Sequence, residues 1–158
     1  MIASWGCLVL PFWFVNMSRL TINALVPELM VTDFRKSLHF YTKILDFSIN
    51  YQRPEEGFAF LFLGDAQLMI DEIVPNSRWK TGTFEYPLGR GINFEIDIEN
   101  AQALCDKLKK HNIPVFMEIE EKWYRKDDRE VGNKQFLVQD PDGYLLRFAE
   151  DLGERNIR

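Results

Sequence analysis

Short runs in which apolar and polar residues alternate are separated, along this chain, by stretches where apolar residues recur at three- and four-residue spacing. The first pattern predicts strands and the second predicts helices. Thr21 to Val31 reads as a strand, with Pro27 marking an edge or bulged position because it has no N–H to give. Asp33 is placed to cap a helix reaching to about Leu45, its apolar side carrying Leu38, Tyr41 and Leu45. Three strands follow, Phe47 to Gln52, Phe58 to Leu63 and Gln67 to Ile73, the last two joined at Gly64-Asp65.

The order then repeats. Gly91 to Ile98 reads as a strand, and Glu99-Asn100 opens a helix to about His111 that turns Ala101, Leu104, Cys105 and Leu108 to one side. Ile113 to Ile119 is the next strand, and a polar segment, Glu120 to Asn133, precedes strands at Lys134 to Gln139 and Tyr144 to Glu150. Between those last two, Asp140-Pro141-Asp142-Gly143 specifies a hairpin turn: Pro fixes φ, Asp side chains bond nearby backbone, and Gly accepts positive φ. The fold class expected is therefore α+β, two tandem βαβββ modules (21–74 and 90–150) forming a cup-shaped mixed sheet with helices outside, joined by a loop at 75–89. Residues 1–20 read as an extension outside the fold, with Met17 a more typical start, and 151–158 as a polar tail.

If helices cover one face of each sheet, alternation assigns the other face to a groove. Glu28 and Met30 then lie opposite Leu29 and Val31, Met69 and Asp71 opposite Leu68 and Ile70, and Asn93 and Glu95 opposite Phe94 and Ile96. Arg147, between Leu146 and Phe148, either meets water or lines the same concavity. Trp79 and Phe84 on the joining loop, and Trp123 and Tyr124 in the polar segment, supply aromatic walls. Apolar area with a few orienting polar groups is the composition of a small-molecule cleft. The same residues also suit a plainer arrangement, in which the carboxylates pair with Arg147, Arg125 or Lys122 and the aromatics bury a dimer interface.

Charge and composition narrow the choice. Nineteen Lys and Arg against 24 Asp and Glu leave a net charge of -5 with no basic block, so nucleic acid is not an expected partner, and a cationic ligand suits the balance. The apolar stretch Cys7 to Val15 is shorter than the roughly 20 residues a spanning helix needs, so no membrane partner is expected and the location expected is cytoplasmic. The chain has two cysteines and two histidines, His39 and His111, and neither histidine falls on a groove strand. No phosphate-cradling Gly-rich loop and no nucleophile elbow is present. The expectation is thus a ligand site without catalytic residues, metal or cofactor.

Val31-Thr32-Asp33-Phe34, Ser37-Leu38-His39-Phe40-Tyr41, Leu45-Asp46-Phe47 and Asp140-Pro141-Asp142-Gly143-Tyr144 together resemble the glyoxalase, bleomycin resistance and dioxygenase superfamily, the vicinal oxygen chelate proteins, over about Ile22 to Glu150. In its metal-dependent lyases two His and two Glu hold the ion. The resemblance carries those four positions to Val26, Asp71, Gly91 and Arg147. A guanidinium stays protonated and has no acceptor lone pair, so it opposes a cation at the last position. The departure points toward the bleomycin resistance branch, whose members are homodimers that sequester a cationic drug at the dimer interface without chemistry. The implied function is metal-free binding of a small cationic or aromatic ligand. The alternative is a glyoxalase-like lyase, isomerase or dioxygenase with a carboxylate-rich site.

Overall fold

Each half of the chain builds the same four-stranded sheet. In the computed structural model, which describes residues 21–157, the first half runs β1 (Glu28–Val31), α1 (Phe34–His39) continued by a π-helical turn (Phe40–Ile44), β2 (Ser48–Arg53), β3 (Phe58–Leu63) and β4 (Ala66–Glu72). The second half runs β5 (Asn93–Asp97), α2 (Ala101–Lys110), β6 (Val115–Lys126), β7 (Arg129–Gln139) and β8 (Leu145–Asn156). The expected extension at 1–20 lies outside the described residues. The sheet orders are β1-β4-β3-β2 and β5-β8-β7-β6, each with one parallel pair, β1 with β4 and β5 with β8. The α+β order of two βαβββ modules is therefore present, as two sheets of identical topology.

Local chemistry sets the helix starts. The Asp33 carboxylate accepts the Lys36 N–H at 2.9 Å, and the Asn100 side chain accepts that of Ala103 at 2.9 Å, so each helix has a side-chain cap. The first helix widens at its end, where Leu45 donates to the Phe40 carbonyl five residues back. That turn buries Phe40, Tyr41 and Ile44.

Three expectations change. The first strand is shorter than the span from Thr21: residues 21–27 precede it, held instead by the Gln67 side chain, which bonds the Thr21 carbonyl and the Asn23 N–H. The polar segment Glu120 to Asn133, to which the sequence pattern assigns no element, is the far half of a long β6–β7 hairpin, largely exposed, so burial imposes no apolar alternation there. Asp151 to Asn156 is not a loose tail. It extends β8 and pairs with the start of β7, where the Arg155 guanidinium lies 3.9 Å from the Trp123 ring centre and donates to Glu130 at 2.8 Å.

One continuous core joins the modules: Leu29, Val31, Tyr41, Leu45 and Ile70 from the first pack with Ile96, Leu108, Phe136, Leu146 and Phe148 from the second. Cys105 is a buried member of it. The β7–β8 turn is tied into the first module by its aspartates. Asp142 accepts the Thr32 N–H at 3.1 Å, the Thr32 hydroxyl, and the Ser37 hydroxyl at 3.3 Å. Asp140 accepts the Tyr41 hydroxyl at 2.9 Å and the N–H groups of Asp142 and Tyr144 at 3.0 and 2.8 Å. The Tyr144 hydroxyl donates to the Met30 carbonyl at 3.1 Å.

Burial pushes the Asp140 carboxyl up to about 6, although the three donors favour its charge. The folded value lies above the ordinary 3.8, so the native state holds the extra proton and this stabilisation is present below 3.8 and lost as pH rises through about 6. Relative to Asp140→Asn, wild-type stability in urea unfolding is expected to fall by about 3 kcal/mol between acid and neutral pH. Parallel pH profiles for the two proteins would contradict this. Gly143 sits at φ 89°, and a Cβ there would lie 2.4 Å from the Pro87 Cβ, so Gly143→Ala is expected to cost about 2 kcal/mol or more by the same measurement. A loss within about 0.5 kcal/mol would mean that the loop yields freely.

Candidate functional site

On the first sheet the parallel and antiparallel registers set Glu28 beside Met69 and Met30 beside Asp71, and in turn Met69 beside Phe60 and Asp71 beside Phe58. Cross-strand partners share a face. That face is opposite the core-facing Leu29, Val31, Ala59, Leu61, Leu68 and Ile70. Phe58, Phe60 and Met30 are buried yet stand apart from the joint core. Tyr51 of β2 covers the aromatic pair, with ring centres 5.5 Å from Phe60 and 5.8 Å from Phe58.

The electrostatics here are acidic with one internal cation. Burial raises the Glu28 carboxyl, as does the nearby Asp71 charge, while Arg53 lowers it; burial likewise raises Asp71, against the pull of Arg53. The Arg53 guanidinium sits 3.9 Å from the Phe58 ring centre, a cation–π contact, and pairs with Glu56. Thus Glu28, Met30, Met69 and Asp71 come together as expected from alternation, and Tyr51, Arg53, Phe58 and Phe60 join them. The strand Phe58–Leu63 is apolar throughout, which hides from a sequence reading that Phe58 and Phe60 face away from the core.

The second sheet carries the other set. Asn93 lies beside Leu145 and Glu95 beside Arg147, and β7 adds Leu137 next to Arg147 and Gln135 next to Ala149. Arg147 forms an ion pair with Glu95, whose other oxygen accepts from Asn133 at 3.3 Å. Gln135 donates to the Tyr124 hydroxyl at 2.7 Å and to Glu120 at 3.0 Å. Among the described residues two buried side-chain atoms lack a hydrogen-bond partner, Arg147 Nε and Gln135 Oε1, and both belong to this face. Unsatisfied buried polar atoms are rare in folded proteins, which makes this donor and this acceptor on one face a candidate place for polar contact.

The aromatic walls are distributed differently from the expectation. Tyr124 faces Gln135, but Trp123, its neighbour on the strand, necessarily points to the other side and covers Gly132, where a Cβ would come within 2.7 Å of the indole. Trp79 is exposed on the joining loop, with Arg78 5.3 Å from its ring centre. Phe84 borders a hollow of about 160 Å³ with Leu88, Gly89 and Tyr144, beside the β7–β8 turn. Among the described residues no hydrogen bond or ion pair links the Glu28–Asp71 set to the Asn93–Glu95–Arg147 set. One chain thus carries two polar faces on separate sheets, and the shared core runs through the covered sides, while Asn93 and Glu95 also border a hollow with Pro27, Ala66 and Gln67 of the first module.

The four positions to which the resemblance assigns a metal differ in chemistry. Val26 and Gly91 offer no donor side chain, Asp71 offers a carboxylate, and Arg147 is a cation already paired with Glu95. No group of three His, Cys, Asp or Glu side chains suited to an ion gathers among the described residues. These residues do not fit the superfamily's metal. No helix among them is long and apolar enough to cross a membrane.

Comparison with known proteins agrees with this architecture. Lactoylglutathione lyase of Escherichia coli O157:H7 is 26% identical over 132 residues, covering 78% of this chain and 88% of the lyase. Bleomycin resistance protein of Geobacillus stearothermophilus is 25% identical over 136 residues, covering 80% and 96%. The crystal structure of TioX from Micromonospora sp. ML1 superposes with a TM-score of 0.63 at 18% identity, over 81% of this chain and 98% of that one, a likeness of fold. The family pattern itself spans residues 21–148, both modules and the turn that joins β7 to β8. The chain belongs to the Glyoxalase/Bleomycin resistance protein/Dioxygenase superfamily.

Proposed function

We propose that this protein binds and sequesters a small cationic or aromatic molecule without metal chemistry, in a groove that a second copy of the chain completes. The observation that carries this reading is Arg147. It fills a position to which the resemblance assigns a metal-holding carboxylate, it is paired with Glu95, and its Nε, like Gln135 Oε1, has no hydrogen-bond partner among the described residues. The first-sheet face supplies what a cationic, planar ligand needs: two carboxylates, Glu28 and Asp71, and the rings of Tyr51, Phe58 and Phe60. Because the two faces belong to different sheets, a dimer that sets one chain's first face against its partner's second face closes a single cleft. Bleomycin resistance protein is a relative whose name fits this reading.

The second reading is a lyase or isomerase, favoured by the likeness to lactoylglutathione lyase and by the neighbouring carboxylates Glu28 and Asp71, candidates for a general base.

Isothermal titration of the intact protein with copper-free bleomycin and with 2-naphthylmethylammonium separates the two readings. Saturable heat is expected with at least one, weakened about tenfold or more, or about 1.4 kcal/mol, by Asp71→Asn or Glu28→Gln. Heat from neither compound would remove the binding reading. Stoichiometric metal in protein purified without chelators, lost in Asp71→Asn, would support the lyase instead.

A further inference from the structure

The chain's only two histidines, far apart in sequence, line one cleft on the helix-covered side of the fold, away from both polar faces. Its volume is about 720 Å³, within the range of small-molecule sites. One wall is the first helix, whose Lys36 and His39 share a face at i, i+3 spacing above Phe40 and Ile44. The other is the end of α2 and the start of β6, with His111 at the C-cap followed by Ile113, Val115 and the exposed ring of Phe116. The floor is the β7–β8 turn.

The chain is acidic overall, whereas this cleft is lined by Lys36, the imidazoles of His39 and His111, the Tyr86 phenol and one carboxylate, Asp140. That carboxylate is buried and saturated: Tyr41 donates to one oxygen, and the N–H groups of Asp142 and Tyr144 donate to the other. None of the hydrogen bonds or ion pairs among the described residues engages the side-chain nitrogens of Lys36, His39 or His111. Three side-chain nitrogens beside apolar lining are the chemistry that suits an anionic head on an apolar body.

We infer that this cleft is a second ligand site, built to hold a small aromatic carboxylate with its rings against Phe40, Ile44, Ile113 and Val115 and its carboxylate toward Lys36, His39 and His111. The preferred charge is opposite to that of the groove ligand proposed above, so either site can be present without the other.

The test uses one ring system with two charges, 2-naphthoate and 2-naphthylmethylammonium, titrated into the full chain by calorimetry and by amide chemical shifts. Naphthoate is expected to bind and to shift the amides of Ile113 and Val115. Lys36→Glu and His111→Glu should each weaken it about tenfold or more, while Lys126→Glu at the tip of the β6–β7 hairpin leaves it unchanged. Lys36→Gln, at an exposed position, keeps the fold and is expected to give an intermediate loss. Absence of naphthoate binding would overturn the inference. So would affinity unaffected by both charge reversals, or displacement of naphthoate from the Ile113 and Val115 region by the ammonium compound at equal strength. Ammonium binding confined to the Glu28–Asp71 face would bear on the groove alone, and naphthoate binding at the cleft would stand.

Discussion

Two buried aspartates in a four-residue turn hold the halves of this molecule in register. Asp140 and Asp142 sit at the end of the second module, yet they take hydrogen bonds from Thr32, Ser37 and Tyr41 of the first. A buried carboxylate is costly unless donors surround it, so neither aspartate is tolerable with the modules apart and the turn still desolvated. The arrangement is directional, whereas the shared apolar core is not. Packing brings the two covered faces together, and the carboxylates decide how they are aligned.

That alignment determines what the rest can do. β8 leaves the turn at Leu145, and Arg147 follows on the face away from the core, where Glu95 of the neighbouring strand meets it. On the first sheet β1 is anchored through the Met30 carbonyl to Tyr144, and it carries Glu28 beside β4 and Asp71. The chain thus presents an acidic aromatic face and a face with a paired guanidinium, each rigidly mounted on a sheet. Of the four positions that the resemblance assigns to a metal, only Asp71 offers a carboxylate; Val26 and Gly91 have no donor side chain and Arg147 is a cation. Recognition of a cation by carboxylates and rings needs no ion and no proton transfer.

Much of this was legible in residue order, and the rest was hidden for identifiable reasons. Alternation placed Glu28, Met30, Met69 and Asp71 on one face because their neighbours are cleanly apolar, and Asp33 and Asn100 announced their helices by chemistry alone. The far half of the β6–β7 ribbon was invisible because it is largely exposed and carries too few apolar residues to impose a period, and the same holds for the end of β8. Phe58 and Phe60 were masked by an apolar strand that is buried on both sides. The Asp-Pro-Asp-Gly motif specified its turn but not its distant partners, since a side chain's long-range donors leave no local signature. The histidines, read singly, suggested nothing; the fold brings them to one cleft.

Asp142 couples the modules through specific bonds to Thr32 and Ser37 and is not merely a good turn residue. A double-mutant cycle of Thr32→Val and Asp142→Ala, read by urea unfolding, measures this directly across the module boundary. The account predicts a coupling energy of about 1 kcal/mol or more between these two positions. Additive losses, with coupling indistinguishable from zero, would contradict it and leave the modules aligned by apolar packing alone.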